Sequence, residues 1–561
     1  MFFTQVILIL SRISILYSSE YIPPPDWNGL LHIQNGKNEV VSNEWFLSQE
    51  RTAAAEYTTL LSHLQGPDAQ FYACEFPART KLIEKNLKII TKTDLSKCEN
   101  LAAFKKTFNK EYVSLVLSSE HLNSPASAFG HIMIVFHNSA KVELDATVLH
   151  FSALTQNEPF FRYSANGLLG IFSGYYFYEP FFKKLNEYSE IEQRSLYFNQ
   201  LILTDAQKEL LILHLFELKK ARFKYYFSSK NCGYQINYLL NIIYERPQHS
   251  PLLYFLPRDV VDEQKKNLKS EYNIPPLARR AEIAVSKLEK KELSDFSNTI
   301  EKGELPEEDF SNPTKKALLL YNKYLFRHKR IITHQFSAIS NLSTEDNDIL
   351  YEESYSPLDF PAPRKIQLGI EHSNSHTNYL LSYRPALLDS SDFQIYKTTE
   401  STFNILKTQL FLHHEDISLK KLDVLDVKIA SPAQSYFLSP SWFINSSFNR
   451  ENRDKDLSLS HSFGIGQTFN FGINFSYYAG AGYDLENMSR GRGYLYGLLS
   501  SYYYFNEKNK FVHESKFKFY QHKIYDFHDL MLIRNLKNVD LYASYSFDID
   551  NKMSLGIFYH F

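Results

Sequence analysis

The chain is poor in cysteine, tryptophan and methionine, with three, three and five of them in 561 residues. No group of histidines and cysteines has the spacing of a metal site, so no resident metal is expected, and nothing in the sequence implies a cofactor. A long basic block is also missing, and the formal charge is −2. Without an attractive field for phosphate, nucleic acid is excluded as a partner. Past the N-terminus no stretch holds about 18 uninterrupted apolar residues, so no ordinary transmembrane helix is expected. Such a chain is either soluble or crosses a membrane with strands.

Tyrosine and phenylalanine, by contrast, are abundant, at 39 and 44 residues. Aromatic loading of this kind suits sheet-rich structure that borders a membrane. The length accommodates three or four domains. Residues 1–19, MFFTQVILILSRISILYSS, read as an irregular signal peptide: apolar, without a basic start, with Arg12 in its middle and small residues at Ser18 and Ser19 for cleavage. In an exported protein an odd cysteine count leaves one thiol unpaired. Cys74 and Cys98 flank a short excursion whose ends can meet, and a bridge there stabilises by roughly 3–4 kcal/mol in the chain-entropy treatment. Cys232 is then the free thiol; the alternative is three unrelated reduced cysteines.

The stretch SSKNCGYQINYLLNIIYERP, residues 228–247, opens a helix with that cysteine. Ile236, Leu239, Leu240 and Ile243 recur at helical spacing, Pro247 stops the run, and Asn231 is a natural N-cap. Cys232 falls in the first turn, where unpaired N–H groups and the helix dipole favour a thiolate. Taken alone, the same residue also reads as an inert buried thiol.

Upstream, SPASAFGHIMIVFH, residues 124–137, sets a glycine and a histidine before an apolar run. The run reads as a strand buried on both faces with His131 at its start, where an imidazole can take a proton from a thiol. A buried structural histidine is the alternative. KVELDATVLHFSA is expected to be the antiparallel partner, and it offers His150 first and Asp145 second as the group that orients the imidazole.

The pair FGH and NC, with GLLGIFSGYY between, resembles the Lnb N-terminal periplasmic domain family, a branch of the permuted papain-like, NlpC-type superfamily. The matching residues are Ser127, Phe129, Gly130, His131, Gly167, Gly170, Gly174, Tyr188, Glu192, Arg194, Tyr226, Phe227, Asn231 and Cys232, within roughly residues 100–260. The resemblance implies a histidine strand that precedes the cysteine helix. It also implies a thiol enzyme whose best-known relatives N-acylate bacterial lipoproteins through a cysteine thioester.

Around this core, residues 20–100 read as a helical N-terminal domain without chemistry of its own, and Arg79 as structural. Residues 101–257 are the expected catalytic domain. The glycines of residues 167–174, Gly170 and Gly174 among them, read either as a loop approaching a bound chain, together with Ser127 and Asn231, or as a packed turn. Thr204 and Gln207 form a capping box, and His214 is helix surface or core. Residues 258–360 are expected to be a helical connector, with Arg279 and Arg280 as a basic patch able to meet lipid headgroups. From about residue 361 the chain alternates in segments of about ten residues ending at Phe561, the pattern of an outer-membrane β-barrel of roughly 10–14 strands. A soluble sandwich gives the same alternation but buries the apolar face.

The combined expectation is an α+β papain-like (permuted) domain with helical flanks, followed by an antiparallel β-barrel. Cys232 is the nucleophile, His131 the base, and the substrate an acyl group of a phospholipid or lipoprotein at the outer membrane. Two alternatives stay open: a cysteine peptidase or amidase on peptidoglycan, and a non-enzymatic outer-membrane binding protein.

Overall fold

A computed structural model describes residues 23–88, 92–119, 130–155, 158–249, 251, 254–302, 311–327, 361–373, 376–385, 388–393, 401–412, 416–430, 440–450, 456–486, 490–547 and 551–561. The expected signal segment and Ser127 lie outside them. The chain divides into two compact units, Met1–Pro357 and Leu358–Phe561.

Among the described residues the first unit is built on an antiparallel sheet of seven strands. These are β1 (Tyr112–Ser118), β2 (His131–His137), β3 (Thr147–Leu154), β4 (Phe172–Pro180), β5 (Leu196–Leu201), β6 (Phe223–Tyr225) and β7 (Leu268–Ile274), in the order β6-β4-β3-β2-β1-β5-β7. Strand β2 is central and buried along its whole length, as its unbroken apolar run requires. On one face Met133 and Val135 join Val148, Phe181, Leu185 and Tyr188 in one cluster. On the other, the Phe136 ring meets Phe108 edge-on at 5.0 Å.

Helix Cys232–Ile243 is buried at every residue, so it packs against the rest of the unit all round rather than along one apolar stripe. Thr204 and Gln207 close the capping box of helix Asp205–Leu218, at 3.2 and 3.0 Å. That helix also anchors the N-terminal helical region. Glu217 accepts from the N–H groups of Ala78 and Arg79 at 2.7 and 3.0 Å, capping helix Pro77–Leu87. The Arg79 guanidinium pairs with Glu217 at 3.1 Å and stacks on Trp45, fully buried, which makes Arg79 structural as expected. His214 is core, its Nε2 3.2 Å from that of His32. Cys74 and Cys98 are disulfide-bonded, with Cα atoms 5.4 Å apart, and Cys232 is free.

The segment expected to be a helical connector departs from that reading at β7, which pairs with β5. Its lysines read as a charged helix face, whereas Tyr272 and Ile274, two apart, enter the sheet's core. Arg280 is no headgroup site either: it is buried, 3.2 Å from Ser189 Oγ and 3.7 Å from Glu190.

The second unit is a closed antiparallel barrel of twelve strands, from Lys365–Ser373 to Lys552–His560. Leu541, Tyr545, Leu555, Ile557 and Tyr559 are exposed on its outside, while Ser554, Phe558 and His560 point inward and are buried. A sandwich would bury the first set, so the apolar belt is a lipid-facing one. The interior is crossed by ion pairs. Lys428 on the fourth strand reaches Glu514 on the ninth. Asp389 and Asp392, after the second strand, take Lys365 at 2.7 and 2.9 Å, and the Asp392 carbonyl accepts from Lys510 of the ninth strand at 2.7 Å.

Candidate active site

Cys232 opens its helix behind Asn231, whose Oδ1 accepts from the Tyr234 N–H at 3.2 Å. The Asn231 amide donates to the carbonyls of Phe227 and Phe255, at 3.1 and 2.7 Å. Both of its donors are thus committed to pinning the loops around the helix start, which corrects the expectation that Asn231 contacts substrate. The thiol is buried and faces the N–H groups of Ile132 and Gly233. Burial pushes it up to about 11, against the downward pull of those N–H groups and of Arg194. The helix-start position therefore does not yield a resting thiolate: desolvation outweighs the dipole.

His131 begins β2 directly after Gly130, whose φ of +88° lets the backbone turn in against the Ser118 carbonyl. A Cβ there would lie 2.8 Å from that oxygen. The His131 Nε2 is buried and has no hydrogen-bond partner among the described residues. Burial, then the neighbouring His150, Lys184 and Arg194, hold its pKa well below the usual imidazole value. His131 is accordingly neutral at physiological pH and able to accept a proton. Its ring packs 5.7 Å from that of Tyr188, which in turn lies under the Arg194 guanidinium at 4.7 Å.

His150 is where the sequence placed it, on β3, with its ring 5.9 Å from that of His131. Its Nδ1 meets Ser152 Oγ at 2.9 Å and its Nε2 meets Glu179 Oε1 at 3.0 Å. A neutral ring protonated on Nε2 satisfies both, donating to the carboxylate and accepting from the hydroxyl. Burial keeps His150 low, while its bond lowers Glu179 to about 2, with Lys184 adding to the effect. His150 thus packs beside His131 rather than bonding to it. Asp145 is excluded as an orienting group. It is exposed in the turn before β3, and because Phe136 pairs with Thr147, it sits at the end of the strand pair remote from His131.

Gly170 and Gly174 are not open to a substrate. A Cβ on Gly170, a left-handed helix cap at φ +69°, would strike the Tyr226 ring at 2.2 Å, and one on Gly174 would strike Phe151 at 2.4 Å. The packed-turn alternative is the correct one for both. Sequence reasoning missed Glu179, Ser152 and Tyr225. Tyr225, buried on β6, has its hydroxyl pushed up by burial and then by the adjacent Cys232 thiol. The only signal for Glu179 was a carboxylate inside an aromatic run, YYFYEPFF.

Residues 100–263 match the Lnb N-terminal periplasmic domain family, and this segment of the chain carries that domain. Residues 23–86 and 355–559 match two families described as domains of unknown function, DUF7843 and DUF7840. No curated protein matches the chain. Among solved structures, the KdgM porin in complex with disordered oligogalacturonate is similar at 10% identity and TM-score 0.24, over 35% of this chain and 99% of its own. The NanC porin is similar at 8% identity and TM-score 0.23, over 35% and 98%. The COG4313 outer membrane channel from Pseudomonas putida F1 is similar at 10% identity and TM-score 0.23, over 39% and 100%. A periplasmic domain family joined to a closed barrel with a lipid-facing belt places the protein in the outer membrane, with the first unit on the periplasmic side.

Proposed function

We propose that the protein is a thiol acyltransferase of the outer membrane. The observation that carries this reading is a helix-start thiol held against the Ile132 and Gly233 N–H groups, with His131, whose buried Nε2 has no hydrogen-bond partner among the described residues, one position before Ile132. His131 takes the Cys232 proton as sulfur attacks an ester carbonyl of a phospholipid. A C–S bond forms, and negative charge gathers on the carbonyl oxygen beside the N–H donors. The C–O bond then breaks, and His131 returns the proton to the departing alkoxide. The resulting thioester passes its acyl group to an amine, such as the N-terminus of a lipoprotein, or to water.

Incubating the detergent-solubilised full chain with phosphatidylethanolamine and measuring intact mass tests this. An acyl adduct on Cys232 that is absent from Cys232→Ser and His131→Ala is expected. A protein that instead cleaves peptidoglycan fragments and takes up no acyl group would support the peptidase alternative. Inertness towards both would leave a binding protein.

A further inference from the structure

The end of the sheet that bears His131 also carries the most exposed apolar side chains around it. Continuing the pairing of Met133 with His150 puts Ser152 opposite His131. Strand alternation then sets His150, Ser152 and Leu154 on one face. Leu154 is 63% exposed, and it pairs with Ser173 at the start of β4. Just before that start stand Leu168, Leu169 and Ile171, at 60, 69 and 63%. They surround Gly170, against which the Tyr226 ring packs, so the turn is a closely packed apolar tip.

Four large aliphatic side chains held this far into water cost solvation free energy that folding does not recover. The tip also has basic neighbours. Arg162 lies on the exposed stripe of helix Phe160–Leu169 that ends in Leu168 and Leu169, and Lys224 pairs with Ser173; both are exposed. Glu158, near the start of the same helix, is held by the Asn166 amide at 2.8 Å. Aliphatic side chains flanked by cations match a phospholipid surface, with chains below and anionic headgroups above. The chain spans the outer membrane itself, so such a surface is always tethered to this domain.

We infer that Leu154, Leu168, Leu169 and Ile171 dip into the periplasmic leaflet of the outer membrane and bring the Cys232 and His131 end of the sheet to the phospholipid acyl esters. The inference deepens the acyltransferase reading, but its binding step is tested without it. In full-length protein with Cys232→Ser, a single cysteine is placed at Leu169 or at Ile202 and labelled with a polarity-sensitive fluorophore. Ile202 is the control, because it is 60% exposed and follows Leu201, at the opposite end of the sheet from the Ser118 and Leu196 pair. The protein is reconstituted in phosphatidylethanolamine and phosphatidylglycerol vesicles carrying an acyl-chain nitroxide.

Quenching at 169 several-fold above that at 202 is expected, and equal or reversed quenching overturns the inference. In the wild-type background, Leu168→Glu with Leu169→Glu should slow adduct formation from vesicle phospholipid at least tenfold and leave adduct formation from a water-soluble short-chain ester unchanged. An equal fall with both substrates would make the tip merely structural. Selective quenching at 169 in a protein that never forms an adduct would uphold the docking surface and defeat the acyltransferase reading alone.

Discussion

Lys184 and His150 converge on one oxygen of Glu179, at 3.1 and 3.0 Å. The carboxylate thereby fixes which nitrogen of His150 carries the proton and places a negative charge one ring away from His131. Glu179→Gln preserves the shape and removes the charge. Acylation of Cys232 should slow by about tenfold, the range seen when an orienting partner behind an active group is lost. Stopped-flow or quenched mass spectrometry reads the rate, and an unchanged rate would show that Glu179 only supports the fold.

In the proposed mechanism both reacting groups, Cys232 and His131, rest neutral, and that has a pH signature. With the thiol near 11, alkylation of Cys232 by iodoacetamide should be slow at pH 7 and still rising above about pH 10, where an ordinary thiol has levelled off. Acyl transfer should behave differently. Because His131 is lowered, it stays an acceptor as pH falls through 6.5, so the adduct rate should hold at pH 6. An acid limb centred at 6.5 or above would mean that the imidazole is not desolvated.

Acid should also loosen the junction between the N-terminal helices and the sheet. Burial, then Arg79, brings His214 to about 3. An unfolded chain protonates this histidine near pH 6.5 and the folded one does not. The stabilisation is therefore complete above that value and is lost progressively as pH falls towards 3. Hydrogen exchange of helix Asp205–Leu218 should accelerate from pH 7 to 5 beyond its intrinsic dependence. His214→Gln should flatten that extra slope, and an unaltered slope would place the sensitivity elsewhere.

The barrel should not conduct. Lys428 to Glu514, and Lys510 to the Asp392 carbonyl, cross its interior. In planar bilayers the intact protein should give no steady current. Asp389→Ala with Asp392→Ala strips the partners from Lys365 and Arg384, and should release their loop and produce channel openings. Open conductance in the unaltered protein would contradict the closed interior.

Those residues show where sequence stops being informative. Cys232, His131 and His150 were legible because each sits at a place local rules define: a helix start after an N-cap, a strand mouth, a paired strand. The barrel was legible for a similar reason, since lipid imposes alternation on every strand. Glu179, Ser152 and Tyr225 were not, because their roles come from strand pairing that one residue of slip would destroy. The glycines misled in an instructive way. Gly170 and Gly174 look like room for a ligand, yet Tyr226 and Phe151 of the same chain occupy it. Strand β7 was hidden by Lys269 within it and by Lys265 and Lys266 just before it, because an edge strand tolerates charges that a central strand would not.

The Cys74–Cys98 bridge has a consequence for the protein's birth. A chain exported N-terminus first presents Cys74 and Cys98 to the oxidising compartment well before Cys232 emerges. Pairing neighbours in order of arrival would give the observed Cys74–Cys98 bond without reshuffling and leave Cys232 as the free thiol in its buried helix. Linear order along the polypeptide thus acts as a protecting group for the one sulfur that the bridge leaves free.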